Sequence, residues 1–147
     1  MSVYTKVTPN QLADWLKRYP VGTLTELRGI AAGIENTNYF VTTTLGRFVL
    51  TLFERLPEQS LPFYLGLMAH LARHGTPCPA PIVDHANGLY SFLNGKPATL
   101  VTRLAGAPVM SPTPAHCAQV GVVLAELHVA GQSFAIGFEN PRGPKWW

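Results

Sequence analysis

Leu12, Trp15, Leu16 and Tyr19 recur at helical spacing directly after Thr8-Pro9-Asn10-Gln11. That tetrapeptide offers a capping hydroxyl, a proline in the first turn and a capping-box glutamine, so the pattern predicts a short amphipathic helix, ended by Pro20 and Gly22. Residues 24–30 then read as a first strand and residues 39–44 as a second, with a glycine-hinged polar stretch between them. After the Leu45-Gly46 turn, Phe48, Leu50 and Leu52 alternate with Val49, Thr51 and Phe53 in a third strand apolar on both faces, the mark of a central strand. Ser60 is placed to cap a helix whose stripe is Phe63, Tyr64, Leu67, Met68 and Leu71, and Gly75 stops it. Pro77, Pro79 and Pro81 make a rigid extended entry into a strand at Ile82-Val83. Residues 89–93 and 99–104 are two more strands, and Asn94-Gly95 between them is a strong hairpin signal. Thr113-Pro114 opens a last helix with Cys117, Val120, Leu124 and Leu127 on one stripe, ending at Gly131. Leaving the short Ile82-Val83 segment aside, the order is five strands with one helix inserted after the third.

Composition narrows this to a single globular domain by length, 147 residues with 47% hydrophobic content. Charged residues make up only 13%, so part of the surface is expected to be hidden by a partner or by more chain. The 11 basic residues are scattered singly, which argues against a nucleic-acid partner. Cys78 and Cys117 stand far apart outside any C-x-x-C pattern, which speaks against a disulfide framework or zinc ribbon and for a reduced cytosol. The first six residues lack an apolar signal region, and no stretch approaches the roughly 18 apolar residues of a membrane span, so a cytoplasmic location without membrane contact is expected. Trp146 and Trp147 would expose a large apolar patch unless covered; the expectation is a helix that begins there and is cut off, the plainer alternative is that they fold back on the last helix, and self-association through this end is a further alternative.

The candidate chemistry centres on Gly29-Ile30-Ala31-Ala32-Gly33-Ile34-Glu35-Asn36-Thr37-Asn38-Tyr39-Phe40-Val41. A loop over phosphates must bring backbone N–H groups close to anionic oxygens. Ala31, Ala32 and Gly33 leave room for that, and Asn36, Thr37 and Asn38 supply short polar side chains; an ordinary β-turn uses the same residue types. Glu35 would repel phosphate, so it either fixes the loop, the favoured role, or contacts an ammonium group on a substrate. His70 and His74 share a helix face at zinc-ligand spacing but lack a third ligand, and solvated positions on the polar edge are expected. Glu126 and His128, two apart on a helix, point in different directions; His128 falls on the apolar stripe and is expected buried and hydrogen-bonded.

Taken together, the loop, Phe48-Val49-Leu50-Thr51-Leu52-Phe53-Glu54 and Val101-Thr102-Arg103-Leu104-Ala105-Gly106 resemble the N-terminal part of homoserine kinases of the aminoglycoside-phosphotransferase-like type, over essentially the whole chain. The resemblance implies an α+β fold: a protein-kinase-like N-terminal lobe of about five antiparallel strands with an inserted helix over residues 1–103, then a hinge and the first helix of a C-terminal lobe over 104–147. It implies transfer of the γ-phosphate of ATP to the hydroxyl of L-homoserine, in threonine biosynthesis, with magnesium. It places ATP beneath Gly33, Ile34, Glu35, Asn36, Thr37 and Asn38, beside Thr51, and against a hinge of Arg103, Leu104 and Ala105 whose backbone pairs with the adenine edge; a strand end followed by a turn is the plainer reading of that hinge. Most kinases of this fold present a lysine from the third strand, where this chain has Thr51, and the helix glutamate that pairs with it is absent from residues 62–74. Arg47 or Arg103 could supply the charge, with Lys96 a poorer candidate beside a hairpin tip; otherwise loop backbone and metal carry more. The family's His-Gly-Asp loop and metal-binding Asp have no counterpart, since Asp14 and Asp84 are the only aspartates and His74-Gly75 reads as a helix end. Neither catalytic residues nor magnesium ligands are therefore expected in this chain, which should not turn over alone. Another small-alcohol kinase of the same fold, acting on choline, an aminoglycoside or a sugar, and a non-catalytic nucleotide- or protein-binding module remain as alternatives.

Overall fold

The structure, a computed structural model, describes residues 3–141 and Gly143. Trp146 and Trp147, and the expectations attached to them, lie outside the described residues. The chain runs α1 (Pro9–Leu16), β1 (Leu24–Gly29), β2 (Asn36–Thr43), β3 (Gly46–Phe53), a 3-10 turn (Glu58–Ser60), α2 (Leu61–Arg73), β4 (Ser91–Leu93), β5 (Lys96–Thr102) and α3 (Pro114–Gly131). The strands form one antiparallel sheet in the order β1-β2-β3-β5-β4, so β3 is central as its two apolar faces require.

Local chemistry explains most boundaries. Thr8 and Gln11 close the capping box at the start of α1, with the Thr8 N–H donating to Gln11 Oε1 at 2.9 Å. Asn94 and Gly95 both take positive φ, 50° and 76°, which lets a two-residue turn follow the twist of β4 and β5. Gly75 (φ 82°) lets the Thr76 N–H turn back to the Leu71 carbonyl and ends α2 behind His74, as expected of His74-Gly75.

Several expectations change. β2 begins at Asn36, because Asn36, Thr37 and Asn38 pair with Phe53, Leu52 and Thr51; the loop proper is residues 30–35. The proline segment forms no strand at Ile82-Val83: prolines lack the donor a ladder needs, and the segment is tied to β5 by the Pro81–Val101 bridge with its flanking Ile82 N–H and Thr102 N–H bonds and by the Ala80 N–H bond to the Thr102 hydroxyl. Ser60 occupies the cap position of α2 but makes no side-chain cap bond. His70 is buried rather than solvated, its Nε2 lying 2.9 Å from the Ala130 carbonyl and 3.1 Å from Ser133 Oγ at the contact between α2 and the end of α3. His128, expected buried, is exposed, because the apolar stripe of α3 meets no partner here: no α3 residue is buried, and Val120 and Leu124 face solvent.

One face of the sheet holds the core. Tyr39 and Val41 of β2, Leu50 and Leu52 of β3, and Ala98 and Leu100 of β5 pack against Leu12, Trp15 and Leu16 of α1. The opposite face is only partly covered by α2, through Leu65 and Met68, and that gap holds the site. Among the described residues no helix is long and apolar enough to cross a membrane.

Candidate functional site

Because side chains alternate along a strand, the residues interleaved with the core set all point to the other face. Phe40 from β2, Val49, Thr51 and Phe53 from β3, and Thr99 and Val101 from β5 thus share one surface, and α2 stands over it with Leu65 and Met68. Thr102, Arg103, Leu104 and Gly106 close the end where the chain leaves β5, giving a cavity of about 540 Å³. That is the size class of a small-molecule site with apolar walls and a few polar groups. A second cavity of about 410 Å³ shares Phe53, Leu65 and Met68 with it and extends beneath the loop, where Glu35, Tyr64 and Asn140 line it. The two form a continuous trough from the chain exit to the glycine loop.

The predicted residues divide between the faces of the sheet. Thr51, Arg103 and Leu104 line the first cavity and Glu35 the second; Ala105 lies between the lining residues Leu104 and Gly106. Gly33 takes a φ of 130°, which favours glycine, and Ile34 beside it is 84% exposed at the loop. Asn36 and Asn38 stand on the trough face of β2. Asn38 meets Thr51 directly, its Oδ1 accepting the Thr51 hydroxyl at 2.8 Å. Thr37 is set apart from this group: it is fully buried on the core side, where its hydroxyl donates to Glu54 Oε1 at 2.7 Å and accepts the Tyr4 and Thr5 N–H groups at 2.9 and 3.1 Å.

The charges are equally sorted. Arg103 lies over the Phe40 ring, 4.1 Å from its centroid, with Arg28 at 5.1 Å. Arg103 also donates its N–H to the Arg47 carbonyl, so Arg47 and Arg103 both sit at the exit end; the loop lies past the other end of β3, about 20 Å away at the usual rise per strand residue. Lys96 pairs with Glu54, Nζ to Oε2 3.3 Å, behind the sheet. Burial pushes the Glu54 carboxyl upward, but hydrogen bonds from Thr37, Thr5 and Lys96 and the Lys96 charge outweigh it and hold the group below its ordinary range. Asp84 accepts the Ala86 and Gly88 N–H groups and builds a turn. Among the described residues no three His, Cys, Asp or Glu side chains converge, and Glu35 is the one carboxylate lining either cavity.

Phe40, Phe53, Leu65, Met68 and Val101 are site residues that motif reading missed. For Phe40, Phe53 and Val101 the signal was the period-two alternation itself, which puts every second residue of β2, β3 and β5 on the trough face, whereas Leu65 and Met68 come from α2. Phe134 and Phe138 were also unforeseen; they pack on Phe63 of α2 at centroid distances of 5.8 and 4.7 Å.

Residues 26–145 match the pattern of the phosphotransferase enzyme family. The chain is 54% identical over all 147 residues to the homoserine kinase of Paraburkholderia phymatum and 53% identical over 146 residues to that of Methylobacillus flagellatus. It spans 46% of the length of each, under half of the curated relatives it matches. In three dimensions it is similar to spectinomycin phosphotransferase in complex with ADP and spectinomycin, with a TM-score of 0.70 at 17% identity, covering 97% of this chain and 45% of that one. That likeness bears out the expected α+β, kinase-like fold.

Proposed function

Because the chain belongs to the phosphotransferase enzyme family, we propose that it is the nucleotide-holding part of a homoserine kinase, which moves the γ-phosphate of ATP to the hydroxyl of L-homoserine. The observation that carries this reading is the trough: an apolar slot against an exposed chain exit at one end and a glycine-hinged loop at the other, at the size and polarity a purine nucleotide needs. The base enters beside Val49, Val101 and Leu104, with the backbone of residues 103–106 along its edge. The phosphates run beneath residues 30–35, whose N–H groups favour anions. Residues 1–103 act as the nucleotide lobe, and residues 104–147 as the hinge and the start of a helical lobe. The base that takes the homoserine proton is assigned to no residue of this chain, nor are the ligands of a magnesium ion; phosphoryl transfer needs both. A cytosolic setting belongs to the same proposal, in keeping with two cysteines left as thiols.

Calorimetric titration with ATP tests the first half: binding by the 147-residue chain is expected, without homoserine-dependent ADP release. Joining the chain to the remaining part of the Paraburkholderia phymatum enzyme tests the second, with ADP release expected for L-homoserine and not for choline, an aminoglycoside or a sugar. Absence of ATP binding together with oligomerisation favours a non-catalytic module that docks through the uncovered stripe of α3.

A further inference from the structure

At the base of the loop over the trough the Ile30 N–H donates to the Asn38 carbonyl at 2.9 Å, and Gly33 and Ile34 beyond it are exposed. Backbone amides that bind phosphate gain affinity when they are fixed beforehand, since ordering them at the moment of binding costs free energy.

The segment before α1 reaches that loop from behind the sheet. Tyr4 Oη donates to the Ile34 carbonyl at 2.9 Å, across thirty residues of sequence. The segment is itself fastened at several points. Thr37 Oγ1 accepts the N–H groups of Tyr4 and Thr5, and Glu54 Oε1 accepts both the Thr5 N–H and the Thr37 hydroxyl. The Tyr39 hydroxyl donates to the Thr5 carbonyl and accepts the Val7 N–H, and the Asn94 amide donates to the Lys6 carbonyl at 2.8 Å. Glu54 is only 10% exposed at its side chain and is steadied by Lys96.

The contact at Ile34 has a directional consequence. In a trans peptide the C=O and the following N–H point opposite ways. Tyr4 lies on the core side of the sheet with Thr37, so drawing the Ile34 carbonyl towards Tyr4 turns the Glu35 N–H away from that side, towards the trough that Glu35 lines.

We infer that residues 4–7 are a strap that positions the phosphate-covering loop, with Tyr4 orienting the Ile34–Glu35 peptide and Glu54 anchoring the strap. This rests on the nucleotide reading above. Tyr4 is a positioning residue: it touches no ligand and acts through the loop. Its effect therefore depends on the phosphates and spares the base and ribose.

The test compares ATP and adenosine by calorimetry in the wild-type chain, Tyr4→Phe and Glu54→Gln. Tyr4→Phe removes one hydrogen bond from a half-exposed ring, so the expected result is an ATP Kd raised about two- to tenfold, with adenosine affinity and melting temperature unchanged. Backbone amide exchange at Glu35 in the unliganded chain is expected to quicken by a similar factor. Glu54→Gln, which loosens the anchor, is expected to weaken ATP in the same selective way. If the wild type binds ATP and Tyr4→Phe binds it equally well, the strap is overturned and the nucleotide site stands. Equal loss of ATP and adenosine affinity also overturns it, as that marks general damage. If the wild type binds neither ligand, the nucleotide reading itself falls, and the inference with it.

Discussion

Thr37 lies within the loop motif by sequence yet faces the core, and Thr37→Val separates those two descriptions. Valine has nearly the same shape, so the substitution deletes a hydroxyl and little else. Three hydrogen bonds go with it: donation to Glu54 Oε1 at 2.7 Å, and acceptance from the N–H groups of Tyr4 and Thr5. The first is charge-assisted and short, a class worth about 1.5–3 kcal/mol. The Thr5 N–H keeps a second acceptor in Glu54 Oε1 at 3.1 Å, so its loss is small. The Tyr4 N–H is orphaned, at a cost of about 1 kcal/mol or less where water can reach it. The total is about 2–4 kcal/mol, a large share of the stability of a small domain.

Urea unfolding followed by the fluorescence of Trp15, which is buried against α1's side of the core, measures that loss. Thr37→Ser is the control: it keeps the hydroxyl and gives up one buried methyl, at about 1 kcal/mol. Two results would refute the reasoning: Thr37→Val unfolding within 0.5 kcal/mol, roughly the scatter of a neutral surface change, of the wild type, or Thr37→Ser costing as much as Thr37→Val. Adenosine affinity is expected to be the same in all three proteins, because the hydroxyl is on the far side of the sheet from the trough.

Two further outcomes follow from the charges. The Glu54 carboxyl has a lower pKa folded than unfolded, so its contribution is complete above the unfolded value and is lost as pH falls through the folded one; the stability gap between wild type and Glu54→Gln should be steady near neutrality and shrink below about pH 4.3, and melting curves that show the gap widening in acid contradict this. The Arg103–Phe40 contact should give a coupling of about 0.5–1 kcal/mol in a double-mutant cycle with Arg103→Met and Phe40→Leu; a coupling of zero by urea unfolding means that the guanidinium does not rest on the ring.

Local signals in the sequence located most of this fold. The capping box at Thr8 and Gln11, the Asn94-Gly95 turn and the doubly apolar β3 each encode their geometry within a few residues, and each appears where the pattern put it. What failed depends on partners distant in sequence. Asn36 to Asn38 look like loop residues because they are polar, but all three lie in register with β3 as part of β2. His70 looks like a surface histidine until the end of α3 brings the Ala130 carbonyl and Ser133 to it. His128 shows the converse error: its stripe is apolar, yet periodicity does not say what the stripe packs against. The site was legible to the same extent. Thr51, Glu35 and the chain exit, expected from the motifs, line the cavities, whereas the apolar walls needed the strand register, and the separation of Thr37 from Asn36 and Asn38 needed only the period of two applied across the motif.

That separation bears on how the trough would handle a triphosphate. Arg103 is the one cationic side chain lining either cavity among the described residues, and it stands at the exit end over Phe40. Lys96 is spent on Glu54 behind the sheet, and Arg55, one residue beyond Glu54, is exposed and lines neither cavity. Thr51, where the resemblance leads one to expect a lysine, donates to Asn38 instead, and Glu35 lines the cavity beneath the loop. A hydroxyl–amide pair orients by hydrogen bonding but neutralises nothing. Under the proposed reading, the loop end therefore holds phosphate by fixed backbone dipoles or by cations supplied from outside the described residues. Dipoles of that kind act only as far as they are held in place. A loop without a cation beside it depends more on its mechanical support than one with a lysine, and in this chain that support includes the Ile30 bond to β2 and the bonds through Tyr4, Thr37 and Glu54 to the back of the sheet.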